Sequence, residues 1–133
     1  MRFMLCQDYG GVESECPPMT DWSPDDVKAH IEFQHTLNQD LIERGELVDA
    51  QGLAGPEQAK VVVSDGARAP VVTDGPYPET KELLAGYRIV DVDSLDRAIE
   101  IAAVTSAAPG KDGKPIRQRI EVREVLGAPT PEV

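Results

Sequence analysis

The sequence contains few of the residues that several common functions require. It has only two cysteines, Cys6 and Cys16, too few for a disulfide framework, so a reducing, cytoplasmic setting is expected. Lys and Arg number 13 against 24 Asp and Glu, which gives a net charge of −11. Such an acidic chain repels phosphate backbones, so we expect no nucleic-acid partner and interpret the acidity as a source of solubility.

Membrane and metal signals are also scarce. No apolar run is long enough for a membrane-spanning helix, and residues 1–5 form a strand pattern rather than a signal peptide. The two histidines, His30 and His35, are five residues apart and do not share a helix face, and no cysteine or carboxylate cluster accompanies them. We expect no metal and no cofactor in a single domain, 1–126, followed by a tail, 127–133.

Hydrophobic periodicity predicts a strand, a long helix, several strands, a shorter helix and a final strand. Ser23 is a typical N-cap before Pro24, and Gly45 is a plausible helix stop, so the long helix is predicted over 24–44. Asp93-Ser94 is a predicted cap pair before the second helix, and Ser64-Asp65-Gly66 predicts a hairpin turn. The predicted strands are 2–7, 46–53, 59–63, 69–73, 84–92 and 118–125.

This order predicts an α+β fold. Each helix links strands that can lie parallel through right-handed crossovers, which gives a ferredoxin-like sheet with both helices on one face. The segment 59–73 adds an extra β-hairpin. One face of the sheet is left uncovered, so we expect a homodimer.

The long helix carries three polar residues in the middle of its apolar arc. His30, Gln34 and Asn38 are four residues apart and form a single row that should point toward the sheet. These side chains either satisfy each other as packing elements or line a cavity for a small ligand. In the second case His30 is a candidate general acid or base, whereas His35 lies at the edge of the arc. The predicted arc contains Val27, Ile31, Phe33, Leu37, Leu41 and Ile42.

Two further acids are candidate site residues. Asp8 closes the first strand, where it either meets a ligand or forms a turn with its own backbone. The stretch 71–82 is a strand that runs into a turn stiffened by two prolines. Such rigidity suits a site that holds Asp74 or Lys81 in a fixed place, and it equally suits an architectural corner.

The stretch 71–82 resembles the signature of the DGPF-type, YCII-related family. That signature is V-T-D-G-P-F, then an acidic-Thr-Lys-Glu segment, then a Gly-aromatic strand. Tyr77 stands where the family usually has Phe, and Gly86-Tyr87 match the Gly-aromatic pair. The resemblance covers most of 1–125, while the turn 109–117 is longer than is usual. Other matching stretches are 2–5, 22–24, 45–52 and 90–96.

The resemblance implies a dimeric α+β-barrel built from ferredoxin-like subunits, in a family whose members largely lack an assigned function. Related proteins carry a His on the long helix and an Asp at the end of the first strand as an active-site pair. Asp8 matches that Asp, whereas counting back from the helix end places Gln34 at the His position, and a slip of one residue selects His35. The resemblance also implies a regulatory or stress-linked context, because such proteins occur beside extracytoplasmic-function sigma factors.

Three hypotheses follow. The first is a domain that binds a small polar molecule. The second is a lyase or isomerase acting on a small cyclic compound, since one branch of the related proteins eliminates chloride from a chlorinated hydroxyhydroquinone. The third is a structural or interaction protein without a ligand. The candidate catalytic residues are Asp8 and His30, and the candidate ligand-binding residues are Gln34, Asn38, Asp74, Lys81 and Tyr87.

Overall fold

A computed structural model of the chain describes residues 1–8, 16–17, 19–75 and 84–131. The element order predicted from the sequence is confirmed, and the predicted bounds agree with the observed ones to within two residues. The strands are β1 (Arg2–Asp8), β2 (Leu47–Gly52), β3 (Lys60–Val63), β4 (Val71–Asp74), β5 (Leu84–Asp91) and β6 (Ile120–Glu124), and the helices are α1 (Pro24–Glu43) and α2 (Leu95–Ser106).

Four strands form one sheet in the order β2-β5-β1-β6, and every neighbouring pair is antiparallel. The strands β1 and β2 therefore run parallel on either side of β5, and α1 connects them. The same relation holds for β5 and β6 around β1, with α2 as the connection. This is the ferredoxin-like arrangement, and the α+β class is confirmed. The predicted extra hairpin is also present, because β3 and β4 form a separate two-stranded sheet.

Both helices pack on the same face of this sheet. Alternate residues of the central strands point toward them, so that Phe3, Leu5 and Val90 are 3% exposed or less. They join Leu41 of α1 and three small or branched residues of α2 in one core; the α2 members are Ala98, Ile101 and Ala102. The predicted apolar arc of α1 is too broad, because Ile31 and Ile42 are 55% and 53% exposed.

Both helices begin at the predicted caps. The Ser23 hydroxyl accepts a hydrogen bond from the Asp26 amide at 3.1 Å, and Ser94 does the same for the Arg97 amide at 3.2 Å. Gly45 follows α1 with φ +72°, a conformation that favours glycine and ends the helix.

The start of β2 is tied to α2 by an ion pair. Arg97 donates two hydrogen bonds of 2.8 Å to the two carboxylate oxygens of Glu46. These bonds lower the pKa of the Glu46 carboxyl, because they stabilise its charged form. In the described part of the chain, no helix combines the length and the apolar character needed to cross a bilayer.

Candidate functional site

A cavity of about 390 Å³ lies between α1 and the sheet. On the sheet side, two small residues near the end of β2, Ala50 and Gly52, line it. Small residues leave space that larger side chains would fill, so the cavity is a consequence of sequence composition at this strand end. Its polar wall contains Gln7, His30, Gln34, Asn38, Arg88 and Gln118.

Arg88 organises the polar wall, although the sequence did not single it out. Its side chain points to the helix-covered face of β5, and the residue is only 3% exposed. Its Nε donates a hydrogen bond of 2.8 Å to Asn38 Oδ1, and its Nη2 donates to Gln34 Oε1. The row predicted on α1 therefore does face the sheet, and a buried cation holds two of its three members.

The hydrogen bonds continue from Arg88 to His30. Gln34 Nε2 lies 3.4 Å from His30 Nε2, and His30 Nδ1 lies 3.0 Å from the carbonyl oxygen of Pro109. A carbonyl can only accept, so Nδ1 carries the proton and Nε2 of the neutral ring accepts from the Gln34 amide. The neutral imidazole can therefore make both hydrogen bonds, to Pro109 and to Gln34. The Gln34 amide is oriented with its oxygen toward Arg88 and its nitrogen toward His30.

The long turn after α2 fixes the position of His30. Its Pro109 carbonyl binds the imidazole, and the amide of Asp112 donates a 3.0 Å hydrogen bond to Asp26 near the start of α1. The rings of Trp22 and His30 pack in a T-shaped arrangement, with centroids 5.5 Å apart. This turn therefore has a structural role, because it closes over the first turns of α1.

The electrostatics of the cavity are dominated by Arg88. Burial lowers the pKa of its guanidinium to about 10, so the side chain stays cationic at neutral pH. Its Nη1 is buried and has no hydrogen-bond partner among the described residues. No Asp or Glu is found among the described residues that line the cavity. The cavity therefore has a positive charge in a chain that is strongly acidic.

Four of the residues predicted to form a site lie on this cavity: His30, Gln34, Asn38 and Tyr87. Gln34 faces the cavity, whereas its neighbour His35 is exposed. The hydroxyl of Tyr87 donates a 3.1 Å hydrogen bond to Asp49 Oδ2. Tyr87 lies between Gly86 and Arg88 in β5, so its ring is directed to the opposite face of the sheet, and the residue borders the cavity from the strand rather than through its ring.

The structure does not bring the predicted acids to the cavity wall. Asp8 is 5% exposed, and its Oδ2 lies 3.4 Å from Arg119 Nε. Asp74 is on the exposed hairpin, where it pairs with Lys60. Neither acid is among the described residues that line the cavity. Lys81, the other predicted ligand-binding residue, lies outside the described residues.

Nucleophile and metal sites find little support in the described residues. Burial, together with the charges of Glu121 and Asp8, raises the pKa of the Cys6 thiol, so Cys6 is a neutral thiol at physiological pH. The described residues contain no group of three or more His, Cys, Asp or Glu arranged to hold a metal ion. The cavity wall itself offers the amide and imidazole groups of its polar side chains and the guanidinium of Arg88.

The chain belongs to the YCII-related family, because the family model of the YCII-related domain matches residues 1–110. An uncharacterized protein from Rhizobium meliloti (strain 1021) is 30% identical over 110 residues, which cover 83% of this chain and 83% of that protein. The resemblance seen in the sequence is thus confirmed.

Proposed function

We propose that this protein binds a small polar molecule in the cavity between α1 and the sheet. The observation that carries the proposal is the buried Arg88, which holds Gln34 and Asn38 at the wall of a cavity of about 390 Å³. A network with a purely structural role would be enclosed by well-packed side chains, because empty space in a core costs stability. A volume of this size, with convergent polar groups, is typical of small-molecule sites.

Binding without proton transfer is better supported than the lyase or isomerase hypothesis. Both nitrogens of His30 already have hydrogen-bond partners within the protein. The carboxylate of Asp8, the other proposed acid or base, is beside Arg119 and not on the cavity wall. An acid–base mechanism needs a proton-exchanging group within reach of the substrate, and this geometry supplies none that is uncommitted among the described lining residues.

Nuclear magnetic resonance titration with a library of small polar fragments tests the proposal. We expect shifts of the backbone amides around Gln34 and Arg88, and no shifts in the hairpin β3-β4. Replacing Gln34 with Leu should weaken binding about tenfold, which corresponds to the loss of one good hydrogen bond. Gln39→Leu is the matched control, because Gln39 is exposed on the same helix. Equal affinity of the two variants, or shifts scattered over the surface, would contradict the proposal.

We also propose that two copies associate through the sheet face opposite the helices. On this face the cross-strand neighbours Met4 and Ile89, and Cys6 and Tyr87, form a half-buried patch at the centre of the sheet. A second copy would cover these side chains and give the dimeric barrel that the family resemblance implies. The link to a sigma factor and the cytoplasmic location stay predictions.

Sedimentation equilibrium tests the dimer, with an expected mass of twice 14.4 kDa. Ile89→Glu should produce monomers, because it places a charge in the centre of the patch. Val104→Glu is the control, since Val104 is 47% exposed on α2, away from this face. A monomeric wild-type protein, or equal dissociation in both variants, would overturn the dimer proposal.

A further inference from the structure

We infer that the molecule bound in this cavity is a small organic carboxylate whose negative charge pairs with Arg88. The inference rests on the proposed function, because it names the chemical class of the ligand at the same site. It is carried by a buried cation for which the described residues offer only neutral oxygen acceptors, those of Gln34 and Asn38.

Arg88 differs from other partly buried charges of the chain in having no oppositely charged partner among the described residues. Arg97 is paired with the carboxylate of Glu46, and Asp8 lies beside Arg119. Arg88 is more deeply buried than Arg97, yet no described carboxylate accompanies it, in a chain where acids outnumber bases 24 to 13. An uncompensated buried charge costs free energy, and such a cost is commonly retained at functional sites.

Part of the guanidinium of Arg88 still has N–H groups that can donate hydrogen bonds to a ligand. Nε is used by Asn38, and one hydrogen of Nη2 is used by Gln34. The edge formed by Nη1 and Nη2 keeps parallel N–H groups, since Nη1 has no partner among the described residues. Two parallel N–H groups match the two oxygens of a carboxylate. Because Nη1 is shielded from solvent, binding requires a small shift of the surrounding side chains.

A carboxylate fits better than a phosphate. Arg88 is the only Lys or Arg among the described lining residues. One cation balances the single charge of a carboxylate, whereas a phosphate near neutral pH carries more than one charge and three strong acceptor oxygens. The neutral amides of Gln34 and Asn38 are already oriented by Arg88, and they fix the guanidinium in place for the incoming anion.

Calorimetric titration with matched acid and amide pairs tests the inference. The probes are acetate with acetamide, benzoate with benzamide, and inorganic phosphate. We expect wild-type protein to bind the acid of the better-fitting pair about 10- to 100-fold more tightly than its amide, the factor that a charge-assisted hydrogen bond provides. Arg88→Met should abolish this preference, whereas Arg44→Met, at an exposed arginine outside the cavity, should keep it.

The pH dependence separates Arg88 from His30 as the source of the charge. His30 and Tyr87 are the other titratable residues among the described lining residues. With Arg88 as the partner, the acid preference stays constant from about pH 6 to 9, because Arg88 is charged and carboxylates are ionised throughout. A preference that is lost between about pH 6 and 8 would follow the titration range of histidine rather than of arginine and would overturn the inference.

The remaining outcomes are equally decisive. Neutral amides that bind as well as the acids, an acid preference that survives Arg88→Met, or phosphate that binds more tightly than the carboxylates would each overturn the inference. In the first case the proposed binding function would still stand. If neither these probes nor the neutral fragments bind, the proposed function fails as well.

Discussion

Replacing Arg88 with Met is expected to raise the free energy of unfolding by about 2 kcal/mol at pH 7. Burial lowers the pKa of Arg88 from its ordinary value to about 10, so the charge costs roughly 3 kcal/mol in the folded state. The substitution also removes the hydrogen bonds to Asn38 and Gln34. Both residues line the cavity, where water can replace the lost donor, so this loss is about 1 kcal/mol. Methionine fills a similar volume without a charge.

Urea unfolding of both proteins measures this difference. Arg88→Lys is the control, because it keeps the charge but loses the planar fork, and it should be less stable than wild type. The advantage of the Met variant should shrink above about pH 10. There the folded wild-type protein loses the Arg88 proton while the unfolded chain keeps it, so wild-type stability rises relative to the variant.

A Met variant that is less stable than wild type by about 1 kcal/mol or more would show that Arg88 is a structural residue. Its hydrogen bonds would then outweigh the cost of its charge. The expected gain, in contrast, is typical of residues that are kept for binding at the expense of stability. Measured together with the titrations above, the variant should be more stable and unable to prefer carboxylates.

The local signals in the sequence were sufficient for the order of elements. Ser23 and the pair Asp93-Ser94 predicted the helix starts because capping is a local interaction, and Ser23 and Ser94 are the observed caps. The row on α1 was predicted to face the sheet because a helix repeats every three to four residues, and His30, Gln34 and Asn38 do line the cavity.

Arg88 could not be found in the same way. Arginine is usually exposed, so one arginine in an apolar strand gives no warning of burial. The one sequence feature that points to its burial is its spacing: Arg88 lies two residues from both Gly86 and Val90, which are buried on the same face of β5. That phase becomes meaningful only when β5 is known to be a central strand, and strand order depends on contacts between distant parts of the chain.

The positions of the two acids also depended on features beyond local sequence. A register shift occurs between Gln7 and Asp8, so the end of β1 does not continue the pattern of the strand. Asp74 belongs to β4, which pairs with β3 in a separate sheet. A sequence pattern predicts a strand but does not say which sheet the strand joins, and the site predicted around Asp74 depended on that choice.

Replacing Gly86 with Ala is expected to destabilise the fold by about 2 to 3 kcal/mol, which is typical of overpacking a well-packed interior. A Cβ atom at this position would lie 2.7 Å from the backbone oxygen of Gln51 and 3.2 Å from Gln7 Oε1. The strand cannot move away easily, because β5 is central and Gly86 is paired with residues of β1 and β2 on both sides.

Gly52→Ala is the matched control for this prediction. Gly52 is the cross-strand partner of Gly86 and lines the same cavity, but a Cβ there would have no atom within 4 Å. Thermal and urea unfolding should therefore show a large loss for Gly86→Ala and almost none for Gly52→Ala. Equal effects of the two substitutions would mean that general strand propensity, rather than the contact with Gln51, explains the glycine. A loss confined to Gly86 would show that β5 needs glycine where β2 approaches it, two residues before Arg88.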